Sequence, residues 1–237
     1  MSLVVGGVPI ASLLMLAVSL AIATFVHRPL LGRLGAGTIQ HLVRLPGNLL
    51  HELAHAVAMM ATGFTVADLR VSLLDPAGRG HVRPGPPWIG VARPWLTNLV
   101  SPVAPVFVAV AALATLHATC AIPGLPSSPA GILPVLRAVD PARWELWVGL
   151  ALGYSVTAEM APSDIDLAAW WRPALVAAVF LAAAAYGLEA LAPGTVRGGL
   201  VSADLAARGI LGRTLAVVVW SGLTCAPLAF LAGRLRG

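Results

Sequence analysis

Residues 51 to 55 read His-Glu-Leu-Ala-His. On a helix, positions four apart are separated by about 40° around the axis and about 6 Å along it, so His51 and His55 share one face and can hold a single metal ion. Glu52 sits beside them, within reach of water at that metal. In this H-E-x-x-H arrangement two neutral imidazoles bind zinc, while the glutamate serves as general base toward water and then as proton donor to a leaving amine. Zinc draws the pKa of water toward about 7, so a modest base suffices. A catalytic zinc takes three protein ligands and leaves a fourth position open. No His or Glu follows the pair at the usual zinc-protease spacing, so the third ligand must come from elsewhere. The candidates inside or at the end of an apolar segment are Glu145, Glu159, Asp164, Asp166, Glu189 and His117. The stretch "GYSVTAEMAPSDIDLAAWW" gathers three carboxylates around a Pro-Ser break that can turn the chain back toward the histidines. An aspartate there is the expected third ligand.

These polar groups stand in an apolar setting. Of 237 residues, 58% are hydrophobic and only 11% charged, with a mean hydropathy of +0.87. A soluble domain of this length cannot hide so much apolar surface in one core, which points to a polytopic, multi-pass protein of the cell membrane. A spanning helix needs about 20 apolar residues. Segments 3–26, 45–62, 96–119, 144–161, 173–192 and 213–232 meet or approach that length, giving an expectation of about six transmembrane helices in an all-α fold. The second and fourth are the shortest, and they carry the ionisable residues. A charge within a span costs about 2.5 to 3.5 kcal/mol on insertion scales and is usually kept for function. A purely structural role, with the histidines hydrogen-bonded to neighbouring helices, leaves Glu52 unexplained.

The second helix continues its spacing upstream through Ile39, Leu42 and Val43, with Pro46 either a kink or a first-turn residue. After it, Leu69, Val71 and Leu73 alternate with Arg70 and Ser72, the period of a half-buried strand. Asp75-Pro76-Ala77-Gly78 reads as a turn and "GHV" as a returning strand, so a small β-hairpin is expected within 63–97. Residues 120–143 form a Pro-, Gly- and Ser-rich connection with a short interfacial helix near Leu133 to Val139, and 193–212 a weakly amphipathic one. No internal repeat or second domain is visible, so 1–237 reads as one integral membrane domain.

Other features read more plainly. All 15 basic residues are Arg, scattered through inter-helix segments without interleaved aromatic platforms, which excludes a nucleic-acid surface. Neighbouring loops are almost equally basic, so the positive-inside rule sets no orientation. Cys120 and Cys225 are isolated and imply neither a disulfide nor a thiolate cluster. The first apolar run has no basic residue before it and no evident cleavage site, so it reads as a retained span. His27, His41, His81 and His117 each stand alone, and Trp144, Trp147, Trp170 and Trp171 fit interfacial anchoring around the fourth helix.

Over about residues 45–170 the chain resembles the site-2 protease family of intramembrane zinc metalloproteases. The likeness rests on "HELAHAVAMMATG" in an apolar helix, the "FTVADLRVSLL" and "GHV" hairpin, the small, proline-rich "SPVAPVF", and an aspartate near the end of the following helix. It implies His51 and His55 as zinc ligands, Glu52 as catalytic base and a distant Asp as third ligand. The family's aspartate commonly precedes glycine, whereas Asp164 precedes Ile165 and Asp166 precedes Leu167. A divergent Pro-Ser-x-x-Asp pattern matches Pro162, Ser163 and Asp166, which places Asp166 ahead of Asp164, with Glu159 a remote third. No stretch is long enough for the PDZ domain that some members carry. The resemblance implies hydrolysis of a peptide bond in or near a transmembrane segment of a membrane protein. Two rivals are a non-catalytic metal-binding scaffold or transport component that kept the fold, and a peptidase acting on soluble or membrane-surface peptides.

Overall fold

A computed structural model describes residues 4–5, 8–9, 11–33, 38–71, 80–88 and 94–234. Strands β1 (Val4–Val5) and β2 (Val8–Pro9) pair antiparallel ahead of helix α1 (Ala11–Ile22). A π-helical turn, Ala23–His27, carries α1 into α2 (Arg28–Arg33). The expected first span, 3–26, is thereby displaced toward the C-terminus. Gly6, Gly7 and Pro9 are poor helix residues, and the β-branched Val4, Val5 and Val8 favour strand. Helix α3 (Thr38–Ala61) starts upstream of Leu45, as its spacing suggests, and holds Pro46 in its interior.

Strands β3 (Phe64–Arg70) and β4 (His81–Pro87) form the hairpin, with Arg70 opposite His81 and Leu69 opposite Val82. Strand β3 ends at Arg70, and the expected turn Asp75 to Gly78 lies outside the described residues. Helix α4 (Pro94–Val100), a 3-10 turn at Ser101–Val103 and α5 (Ala104–Thr119) make one apolar rod. A short α6 (Ile132–Ala138) occupies the 120–143 connection. Helix α7 (Trp144–Met160) follows, then α8 (Asp164–Leu191) and α9 (Thr195–Arg234). Helix α8 begins nine residues before the expected 173, running through Pro173, because Ser163 caps it. Of the 193–212 segment, expected as a connection, all but the first two residues belong to α9.

Among the described residues, four helical stretches are long and apolar enough to cross a membrane: Ala11–Leu30, Pro94–Thr119, Asp164–Leu191 and Thr195–Pro227. That marks a membrane protein, with fewer unambiguous spans than the expected six. The two that fall short are α3, diluted by its polar residues, and α7, which has 17 residues. Both pack against each other and against α5, and α7 also meets α9. Lipid supplies no hydrophobic drive between helices, so small residues that let backbones approach carry the association. Gly47 of α3 does this against α7: a Cβ there would lie 2.2 Å from the Ser155 carbonyl oxygen. The Gly47 N–H, next to Pro46, donates to Ser155 Oγ at 2.9 Å. Gly153 sits similarly against Val217 of α9. Leu113, Leu146, Leu150, Val217 and Val218 fill the centre. Helix α8 buries none of its residues and touches the bundle chiefly through α4 and the 3-10 turn.

Candidate metal centre

His51 and His55 lie one turn apart on α3, where the bundle buries most of both side chains. Their rings meet edge to face with centroids 4.8 Å apart. The two Nε2 atoms are 3.1 Å apart. Asp166 comes from the first turn of α8 and brings Oδ1 to 3.5 Å from His55 Nε2 and Oδ2 to 3.9 Å from His51 Nε2. One ligand atom from each of the three residues lies within 4.8 Å of the others, so this group could hold a metal ion.

The surrounding hydrogen bonds can accommodate a cation at that point. His51 Nδ1 is 2.8 Å from the Glu159 carbonyl oxygen, which can only accept, so Nδ1 carries the proton and Nε2 turns its lone pair inward. His55 Nδ1 is 3.3 Å from Ser101 Oγ. With that hydroxyl accepting, both Nε2 lone pairs face one another and the Asp166 carboxylate. Three converging electron pairs repel unless a positive charge lies between them, and a nitrogen separation near 3 Å suits two ligands of one ion at about 2.0 Å each. A ring N–H given to a carbonyl is also the usual way a metal-binding histidine is oriented.

Asp166 is fixed from its own helix end. Ser163 and Asp166 form a reciprocal capping box, in which the Asp166 N–H donates to Ser163 Oγ at 3.2 Å. Asp166 Oδ2 accepts from Ser163 N–H at 2.8 Å and from its hydroxyl at 2.6 Å. The cap that starts α8 therefore also orients a carboxylate toward the histidines.

Among the candidates for a third ligand, only Asp166 reaches the pair within the described residues. Asp164 is exposed two positions away. The Glu159 carboxylate pairs with Arg44 at 2.6 Å, while its backbone carbonyl takes His51. Glu189 accepts from the N–H groups of Gly194 and Val196 near the end of α8. Glu145 belongs to the first turn of α7, about 21 Å along that helix from Glu159. His117 lies in the last turn of α5.

Glu52 is 6% exposed, on the residue next to His51. Gly80, leading into β4, lies directly on it: a Cβ at Gly80 would fall 2.5 Å from Glu52 Oε1 and 2.7 Å from its Cγ. The start of β4, at the turn end of the hairpin, thus covers this carboxylate. Ser101, Gly80 and the Glu159 carbonyl do not stand out as site groups in the sequence. Ser101 belongs to "SPVAPVF", but a backbone carbonyl or a glycine contact leaves no residue-type signature.

The other histidines behave differently from one another. His27 is completely buried with its ring 4.9 Å from that of Tyr154, while His81 pairs with Asp68 across the hairpin at 3.2 Å. Trp144 and Trp147 are exposed at the start of α7, and Trp170 and Trp171 lie in α8. No family model, curated protein or solved structure matches the chain.

Proposed function

We propose that the chain is an intramembrane zinc metalloprotease, hydrolysing a peptide bond in or near a transmembrane segment of another membrane protein. The observation that carries this reading is the convergence of His51, His55 and Asp166 from two separate helices, with the buried Glu52 next in sequence to one ligand. The resemblance of "HELAHAVAMMATG" to the site-2 protease family points the same way. Two imidazoles and one carboxylate make a donor set that zinc takes at catalytic sites, leaving one position for substrate or water. In this reading α3 and α7 also cross the cell membrane, shielded by the four more apolar stretches, which restores six passes.

His51, His55 and Asp166 would hold the zinc ion, which would supply Lewis acidity toward a peptide carbonyl and a bound water. Glu52 takes one proton from the attacking water as its oxygen bonds to the carbonyl carbon. It then delivers that proton to the amine nitrogen as the C–N bond breaks, so the carboxylate ends as it began. His51 stays in one tautomer through the Glu159 carbonyl, and Ser163 keeps the Asp166 carboxylate from rotating away. The substrate must be extended to reach such a site. Strand β4 carries Pro84, Pro86 and Pro87, which have no N–H, so the outer edge of β3 is the one that can pair with an added strand.

The test is Glu52→Gln in proteoliposomes holding a membrane-embedded reporter. Cleavage is expected to vanish while bound zinc stays at the wild-type level, because Glu52 is not a ligand. Zinc-loaded wild-type protein that leaves the reporter intact would refute the protease reading in favour of a metal-binding scaffold, and cleavage by the variant at the wild-type rate would refute Glu52 as the base. A soluble reporter cut as fast as the embedded one would refute the intramembrane substrate class.

A further inference from the structure

Arg28 opens α2, directly after the π-helical turn Ala23–His27. A π turn inserts one residue into the helical register, rotating the downstream residues by about 100° relative to an uninterrupted α-helix. The Arg28 side chain points at the C-terminal end of α7. Its Nε donates to the Ala158 carbonyl at 3.2 Å and its Nη2 to the Ala161 carbonyl at 2.6 Å. The last carbonyls of a helix have no partners within it, and a cation there also meets the negative end of the helix dipole. One turn earlier, Tyr154 donates to the His27 carbonyl at 3.4 Å. The two helices are thus bonded at two heights.

What hangs from that corner matters more than the cap itself. The two carbonyls held by Arg28 flank Glu159, whose own carbonyl accepts His51 Nδ1. Ala161 is followed after one proline by Ser163, whose N–H and hydroxyl hold Asp166. The supports of two of the three metal-binding side chains therefore lie on the five residues from Glu159 to Ser163, and Arg28 pins that segment from a third helix. A charged side chain inside the apolar stretch Ala11–Leu30 is costly to insert, and such groups are kept where they serve a site.

We infer that Arg28 is a positioning residue of the metal centre: its guanidinium holds the α7–α8 corner so that His51 and Asp166 converge. The inference rests on the metal site of the proposed function and adds a residue that touches no ligand atom.

The experiment measures Zn2+ affinity of the full chain in detergent by competition with a chromophoric chelator. It also records the visible absorption of the Co2+-loaded protein. Loss of an outer support costs about 10- to 100-fold in metal affinity. R28A is expected to weaken Zn2+ by that factor and to alter the Co2+ spectrum. D204A is the control, because it removes another inter-helix lock, between Asp204 and Ser12, far from the α7–α8 corner in sequence. It is expected to leave affinity within twofold and the spectrum unchanged. R28K keeps the charge but replaces the planar fork, whose Nε and Nη2 each take one carbonyl, with a single ammonium, so its affinity should fall between wild type and R28A. It also serves if R28A does not fold. Wild-type affinity and spectrum in R28A, or in R28K if R28A is lost, would overturn the inference, as would equal losses in R28A and D204A. Wild-type protein that takes up neither metal would instead sink the metal site itself.

Discussion

Gly80→Ala separates the role of Glu52 from that of the metal ligands. Gly80 does not occupy the left-handed backbone region, so the added methyl acts through space alone. It would stand 2.5 Å from Oε1, 2.7 Å from Cγ and 2.8 Å from Cδ of Glu52, where ordinary contact begins near 3.4 Å. Something must retreat by roughly an ångström. The residue after Gly80, His81, is paired with Arg70 in the hairpin, whereas the Glu52 carboxylate is the free end of a flexible side chain. The carboxylate should therefore yield, at little cost in stability. Misplacing a reacting group by about 1 Å costs on the order of 100-fold in rate, equivalent to about 2.7 kcal/mol of transition-state stabilisation. Measured as kcat/KM on a membrane-embedded reporter, G80A should lose about that factor while zinc content and the thermal unfolding midpoint in detergent stay at wild-type values. Unchanged kcat/KM in G80A would refute the argument that the turn end of the hairpin holds Glu52 in place. Loss of zinc from G80A would show that the glycine contact supports the ligands instead.

Gly47→Ala should destabilise strongly, because its Cβ would meet the Ser155 backbone oxygen at 2.2 Å and α3 and α7 would have to separate. Overpacking of this kind costs about 1–3 kcal/mol, and denaturant unfolding in detergent should place G47A at the upper end. Asp166→Ala should abolish stoichiometric zinc while Asp164→Ala retains it, read by elemental analysis of the purified variants; the reverse pattern would reassign the third ligand. Ser163→Ala removes the hydroxyl that donates to Asp166 Oδ2 and caps α8, so zinc affinity should fall about 10- to 100-fold, measured by chelator competition.

The placement of the two candidate ligands His51 and His55 is legible because it is local. Four residues of helix bring His51 and His55 to one face wherever the helix lies, and the acidic neighbour comes from adjacency. The hairpin is legible for the same reason, since the alternation over Leu69 to Leu73 and the "GHV" return are short-range patterns, although the strand itself runs earlier, from Phe64 to Arg70. The apolar content marks a membrane protein from composition. The number of spans is less legible: hydropathy windows around 45–62 and 144–161 look alike whether a helix crosses lipid or is enclosed by other helices. The start of α8 is hidden because Pro173 suggests a boundary, and the Ser163–Asp166 box that begins the helix nine residues earlier outweighs it.

The amino-acid sequence by itself determined that a paired-imidazole site with an adjacent carboxylate would sit on one helix of an apolar chain. Only the tertiary structure decided that Asp166 converges on that pair, that the Glu159 carbonyl sets the His51 tautomer, and that Gly80 covers Glu52. Convergence of separate helices depends on how closely their backbones approach, here through Gly47 against Ser155, and on carbonyls that every residue type carries alike. Neither quantity is written in the identity or spacing of side chains along one strand or helix.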